Sequence, residues 1–89
     1  MLPLNYAILK LFGDGSEHDV KSVMDELRGD YGKFRPFKPA VVNESLMSAE
    51  KNELLVETRA EFDEVRDLRV FYKATDYGID MIRQYIKVR

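Results

Sequence analysis

The chain contains no cysteine and a single histidine, His18. Without cysteine there is no disulfide staple and no thiolate metal site. One histidine with no companion ligands does not make a metal site either, so no metal or other cofactor is expected. Long apolar runs are also missing. None approaches the roughly 20 residues of a membrane-spanning helix, and no membrane association is expected. The opening segment from Met1 to Tyr6 has no basic stretch and no small-residue cleavage site, so no secretory leader is expected and the chain reads as cytoplasmic. A basic excess is lacking too. With 14 Lys and Arg against 16 Asp and Glu the net charge is −2, whereas a domain built mainly to neutralise phosphates carries surplus positive charge.

What is present suits one soluble globular domain spanning residues 1–89. The 89 residues are 45% hydrophobic and 34% charged, neither disordered nor fibrous in balance. A chain this short buries about 60–65% of its extended surface on folding, enough for one core of marginal stability. No repeat, low-complexity tract or linker interrupts it.

Leu4, Ile8, Leu11 and Phe12 form one apolar stripe on a helix after Pro3. Gly13 and Gly15 end it. Ser16 with Asp19 resembles a capping box, Asp standing for the usual Glu or Gln, ahead of a second stripe of Val20, Val23, Met24 and Leu27. Gly29 and Gly32 are expected to stop that helix. Residues 29–38 form a connector rich in glycine, proline and aromatics. Pro39 suits the first turn of a third helix, with Val42, Leu46 and Ala49 inward and the pattern reaching Leu54. The segment from Leu54 to Thr58 reads as a strand and residues 59–67 as a charged hairpin tip.

The most informative segment runs from Leu68 to Ile86. Leu68, Val70 and Tyr72 alternate with Arg69, Phe71 and Lys73 as in a half-buried strand. Thr75 then offers an oxygen to free N–H groups at a helix start, Asp76 adds negative charge in the first turn, and Ile79, Ile82 and Ile86 follow at helical spacing. The expected nucleus is Ile8, Leu11, Val23, Leu27, Val42, Leu46, Leu54, Val56, Val70 and Ile82.

The strand-to-helix passage carrying Tyr72, Thr75 and Gly78 resembles the second wing strand and final helix of winged helix-turn-helix proteins. The segment from Val42 to Val56, with Leu46, Glu50, Leu54 and Val56 in place, resembles the third helix and wing of PadR-like regulators. Leu4, Ile8 and Leu9 resemble their first helix. The resemblance covers nearly the whole chain. It implies an α+β, mostly α fold of three helices, a two-stranded wing and a closing C-terminal helix. Three departures stand out: Asn52 and Glu53 replace a glycine before the wing, with Asn able to take the left-handed conformation, the connector between helices two and three is long and aromatic, and the wing is acidic.

The resemblance also implies a transcriptional regulator that binds double-stranded DNA as a homodimer. Its third helix would enter the major groove. The helical wheel turns Ala40, Glu44, Met47, Ser48 and Lys51 outward with Asn43 on the flank. Asn43 suits adenine and Lys51 suits phosphate, while Glu44 opposes both. An ordinary solvated helix face is the competing reading. In the connector, Lys33, Arg35 and Lys38 lie among Tyr31, Phe34 and Phe37. The basic groups are expected to meet phosphates, and Phe34 and Phe37 to pack into the core. On the last helix Met81, Tyr85 and Val88 exceed what one core stripe needs and mark the expected dimer surface. No carboxylate sits in a catalytic motif and no phosphate loop is present, so no enzyme is expected. The alternative is a winged-helix protein–protein interaction module without DNA binding, whose acidic patch meets a basic protein partner.

Overall fold

A computed structural model describes residues 2–86. Its elements are α1 (Leu4–Lys10), α2 (Val20–Tyr31), α3 (Pro39–Lys51), β1 (Leu55–Phe62), β2 (Leu68–Ala74) and α4 (Asp76–Tyr85). The expected order of three helices, hairpin and closing helix is the observed one, and the architecture is a winged helix-turn-helix.

Helix α1 starts where the Pro3 carbonyl accepts from the Tyr6 and Ala7 N–H groups, both at 3.0 Å. It gives way to tight turns that carry Phe12 into full burial. Helix α2 begins differently from expectation. Asp19, not Ser16, is its cap, and Asp19 Oδ1 accepts from the Ser22 N–H at 2.9 Å. Ser16 is held back in the preceding turn, its N–H on Asp14 Oδ1 at 2.9 Å and its hydroxyl on the Leu11 carbonyl at 3.2 Å. Helix α2 also runs through Gly29 and stops at Gly32. One exposed helical glycine costs about 1 kcal/mol. Burial of Leu27 and Tyr31 on either side of it outweighs that.

Helix α3 has Pro39 in its first turn and buries Val42, Leu46 and Ala49, as their spacing requires. It stops before Leu54 in a closing turn: the Glu53 N–H donates to the Glu50 carbonyl and the Leu54 N–H to the Ala49 carbonyl, at 3.0 and 2.9 Å. The left-handed residue of this turn is Glu53 (φ 65), not Asn52 (φ −87).

Because that turn consumes Leu54, the strand starts one residue later than expected and its facing shifts by one. Leu55 is therefore the buried residue, Leu54 is half-buried, and Val56 is exposed rather than part of the nucleus. The strands pair antiparallel from Leu55–Ala74 to Phe62–Leu68, with a bulge between Glu57 and Arg59. Regular pairing thus extends well beyond Thr58 and leaves only residues 63–67 as the tip. A third strand is reduced to one rung, where His18 and Tyr72 exchange backbone hydrogen bonds of 2.9 and 2.8 Å.

The core is built around Ile8, Phe12, Val23, Val42, Leu46, Leu55 and Ile82. Leu11 and Val70 lie at its edge, only half-buried. Helix α4 closes it: the Thr75 hydroxyl accepts from the Gly78 N–H at 2.9 Å, as the cap reading expects. Among the described residues no helix is long and apolar enough to cross a membrane.

Candidate nucleic-acid interface

Burial of Val42, Leu46 and Ala49 fixes which side of α3 is free. Ala40, Asn43, Glu44, Met47, Ser48 and Lys51 are all exposed, as the helical wheel requires. Asn43 and Met47 are one turn apart, with the Asn43 amide nitrogen 3.4 Å from Met47 Sδ. Pro39 and Asn43 line a cleft of about 560 Å³ together with Val20, Met24 and Arg28 of α2 and the wing residues Asp63, Asp67 and Leu68. Glu44 and Ser48 lie on the opposite flank, beside α1, where the Ser45 hydroxyl donates to Asn5 Oδ1 at 2.7 Å. Asn43 is thus on the wing side of the helix and Glu44 on the far side.

Lys33, Arg35 and Lys38 are exposed, and none is in an ion pair among the described residues. Lys38 immediately precedes α3 in extended conformation, which sets it beside the helix start. Of the two connector phenylalanines expected in the core, Phe37 is buried but Phe34 is 50% exposed. Tyr31 and Phe37 fill the space beneath it, and Phe34 packs edge-on against Tyr31 with centroids 6.4 Å apart.

The wing's charges are rearranged by partners far away in sequence. Arg59 meets Glu17 at 2.8 Å and Glu61 at 2.5 Å, while the Thr58 hydroxyl donates to Glu17 at 2.5 Å. The Thr58 hydroxyl first, then Arg59, hold the Glu17 carboxyl below its ordinary value. Arg69 grips Asp19 with two bonds, at 2.6 and 3.0 Å. Burial pushes the Asp19 carboxyl up, but Arg69 and the Ser22 N–H together outweigh it and keep the group below the usual carboxylate range. Both guanidiniums stack on Phe71, 3.8 and 5.0 Å from its ring centre, which buries a ring that alternation alone would have turned to solvent. At the tip the Asp63 carboxylate accepts from the Val65 and Asp67 N–H groups at 3.0 and 2.9 Å.

That tip is also apolar, where the sequence predicts only a charged one. Phe62, Val65 and Leu68 are 70%, 75% and 58% exposed. Apolar residues in the charged stretch were its visible signal, whereas nothing local reveals the pairs with Glu17 and Asp19. Leu68, expected half-buried, sits at the far end of the hairpin beyond reach of the core.

His18 is structural in its contacts: Nε2 lies 2.9 Å from the Ser16 hydroxyl, Nδ1 2.5 Å from the Ser22 hydroxyl, and the ring stands edge-on to Phe12. On α4, Tyr85 is exposed and Met81 half-buried. With Tyr6, Leu9 and Leu54 they line an apolar groove of about 200 Å³ between α1 and α4. Val88, the third expected dimer residue, lies outside the described residues.

No family model matches the chain, and no curated protein sequence matches it. Solved structures do. The structure of Bacillus subtilis PadR in complex with operator DNA matches 97% of this chain and 48% of its own, with a TM-score of 0.75 and 20% identity. A mutant of Lactococcus lactis ZitR matches 96% of this chain and 50% of its own, at a TM-score of 0.67 and 20% identity. The apo form of that mutant matches 92% and 53%, at 0.66 and 21%. The chain therefore spans about half the length of the solved structures it matches, and what it shares with them is the fold.

Proposed function

We propose that this chain is one winged-helix DNA-binding domain of a cytoplasmic transcriptional regulator, without catalytic activity of its own. One observation carries the reading: an α3 whose outward face is free, flanked by unpaired basic residues, in a fold shared with PadR bound to operator DNA. Helix α3 enters the major groove. The Asn43 amide faces the acceptor and donor of adenine, and Met47 meets a thymine methyl. Lys33, Arg35, Lys38 and Lys51 hold phosphates and set the register. Glu44, on the flank away from the wing, repels phosphate and tolerates only a cytosine amine. Two copies pair through Met81, Tyr85 and Val88, with the groove toward Tyr6 and Leu9 supporting the same surface.

The test is binding of random duplex DNA across a salt series. The Lys33→Ala, Arg35→Ala, Lys38→Ala variant should weaken binding on all sequences alike and reduce the salt slope by about 3, one for each phosphate contact. Glu44→Gln should tighten it. Wild-type affinity in the triple variant would make the connector structural. A second reading, a winged-helix module that binds protein instead of DNA, is favoured by the acidic residues at the wing tip. It takes the lead if the wild type binds no duplex at low salt.

A further inference from the structure

The wing tip is an unusual surface for a domain that faces DNA. Phe62 and Leu68 oppose each other at the hairpin end, Val65 stands at its turn, and all three are mostly exposed. Exposed apolar clusters on a small soluble protein mark contact sites. Residues 62–68 carry the acids Asp63, Glu64 and Asp67 against the single base Arg66. The neighbouring bases do not alter this, because Arg59 is taken up by Glu17 and Glu61 and Arg69 by Asp19. The tip therefore presents apolar surface ringed by acid, which fits a basic surface with an exposed apolar centre.

The same chain carries that counterpart. The connector displays the half-exposed Phe34 between Lys33 and Arg35, with Lys38 beyond it and no acid from residue 33 to residue 38. We propose that the wing tip of one copy docks on the connector of a second copy. Phe62, Val65 and Leu68 pack around Phe34, while Glu64 and Asp67 meet Lys33 and Arg35. The two surfaces differ, so the contact is head-to-tail and can propagate from copy to copy instead of closing on itself. A hairpin tip covers little area, so the contact is weak and salt-sensitive. Docking takes up the connector bases, so phosphates compete for the same site and duplex DNA breaks the assembly apart.

The association itself does not rest on the DNA reading, because it is measured without DNA. Sedimentation of the wild type at low salt should show mass rising with concentration beyond that of a pair and falling back in roughly 0.5 M salt, where exposed charges are screened. The Phe62→Ser, Val65→Ser, Leu68→Ser variant should lose this growth and stop at the pair formed through α4. A charge exchange makes the test specific. One variant carries Glu64→Lys and Asp67→Lys, the other Lys33→Glu and Arg35→Glu. Each alone should grow no further than the pair formed through α4, and their mixture should grow beyond it. All these positions are exposed, and circular dichroism checks that each variant is folded. Adding duplex DNA to the wild type should dissolve the assembly.

Absence of salt-sensitive association in the wild type at about 1 mM would overturn the proposal. So would a triple serine variant that still grows beyond a pair, or a charge-exchanged mixture that does not. If the serine variant instead loses DNA affinity with association unchanged, the tip meets DNA and the proposal fails. A wild type that associates as described but binds no DNA would refute the function reading alone.

Discussion

Gly78 is the residue whose replacement best tests how α4 is seated. It lies in the first turn of α4, where its missing side chain faces backbone. A Cβ there would stand 2.0 Å from the Leu54 oxygen and 2.8 Å from its carbonyl carbon. Neither atom belongs to a flexible side chain, so α4 must retreat by roughly 1.5–2 Å to reach ordinary contact. Retreat would strain the bond of 3.0 Å from the Thr75 N–H to that same oxygen and the Thr75 cap at 2.9 Å. It would also draw Ile82 out of full burial one turn later. Overpacking costs about 1–3 kcal/mol and a disturbed cap about 1 kcal/mol, against a gain of about 1 kcal/mol in helix propensity for alanine. The net expectation for Gly78→Ala is a loss of about 2 kcal/mol, or roughly 8–16 °C in Tm. Gly29→Ala is the control. Nothing lies within 4 Å of its added Cβ, so propensity acts alone and should stabilise by about 1 kcal/mol. Urea unfolding followed by far-ultraviolet circular dichroism reads both. The reasoning fails if Gly78→Ala matches the wild type, or if the two changes share a sign.

Three further outcomes follow from the same structure. Leu46→Ala removes a fully buried side chain on α3 and should cost about 2–5 kcal/mol in urea unfolding; below about 0.5 kcal/mol, Leu46 would not face the core. Glu53→Gly relieves a left-handed residue (φ 65) and should raise stability by about 0.5–1 kcal/mol in a thermal melt, whereas a loss would show that its side chain supports the turn. Asp19→Ala removes a helix cap and the partner of Arg69 at once and should cost about 2–3 kcal/mol, Asp19→Asn less because the cap survives. The Asp19 carboxyl titrates below its ordinary 3.8 in the folded state. Its contribution is therefore present above the unfolded value near pH 4 and fades as pH falls through the lower folded value. Acid unfolding of Asp19→Asn should lack that part of the pH dependence, and an unchanged acid limb would refute the pairing.

The helices were legible because each has one uninterrupted apolar stripe. Val42, Leu46 and Ala49 needed only the helical period, and Pro39 and Thr75 mark their helix starts by local chemistry. The strands were harder. Leu54, Leu55 and Val56 are three apolar residues in a row, and periodicity does not say which one faces in. That is decided by the turn that closes α3 and by the bulge after Glu57. Ser16 and Asp19 are both good caps, and Arg69, fifty positions further on, decides between them. The outward face of α3 was legible for the same reason as its inner face. The wing's charge was not, since Arg59 and Arg69 look available in sequence and are spent on Glu17 and Asp19 in the fold.

The hairpin is fastened at one end only. Its side-chain and backbone bonds to the rest of the molecule, among the described residues, fall at Thr58, Arg59, Arg69, Tyr72 and the Thr75 junction. From Ala60 to Leu68 the hydrogen bonds and ion pairs among the described residues stay within the hairpin. Sequence change is therefore cheap beyond those anchors: residues 62–68 can be replaced, shortened or extended without touching the core or the helix caps. For an engineer that makes the tip a graft site on a scaffold that does not notice the graft. For a lineage it means that the outermost wing can drift and acquire a new specificity while the folding problem stays solved.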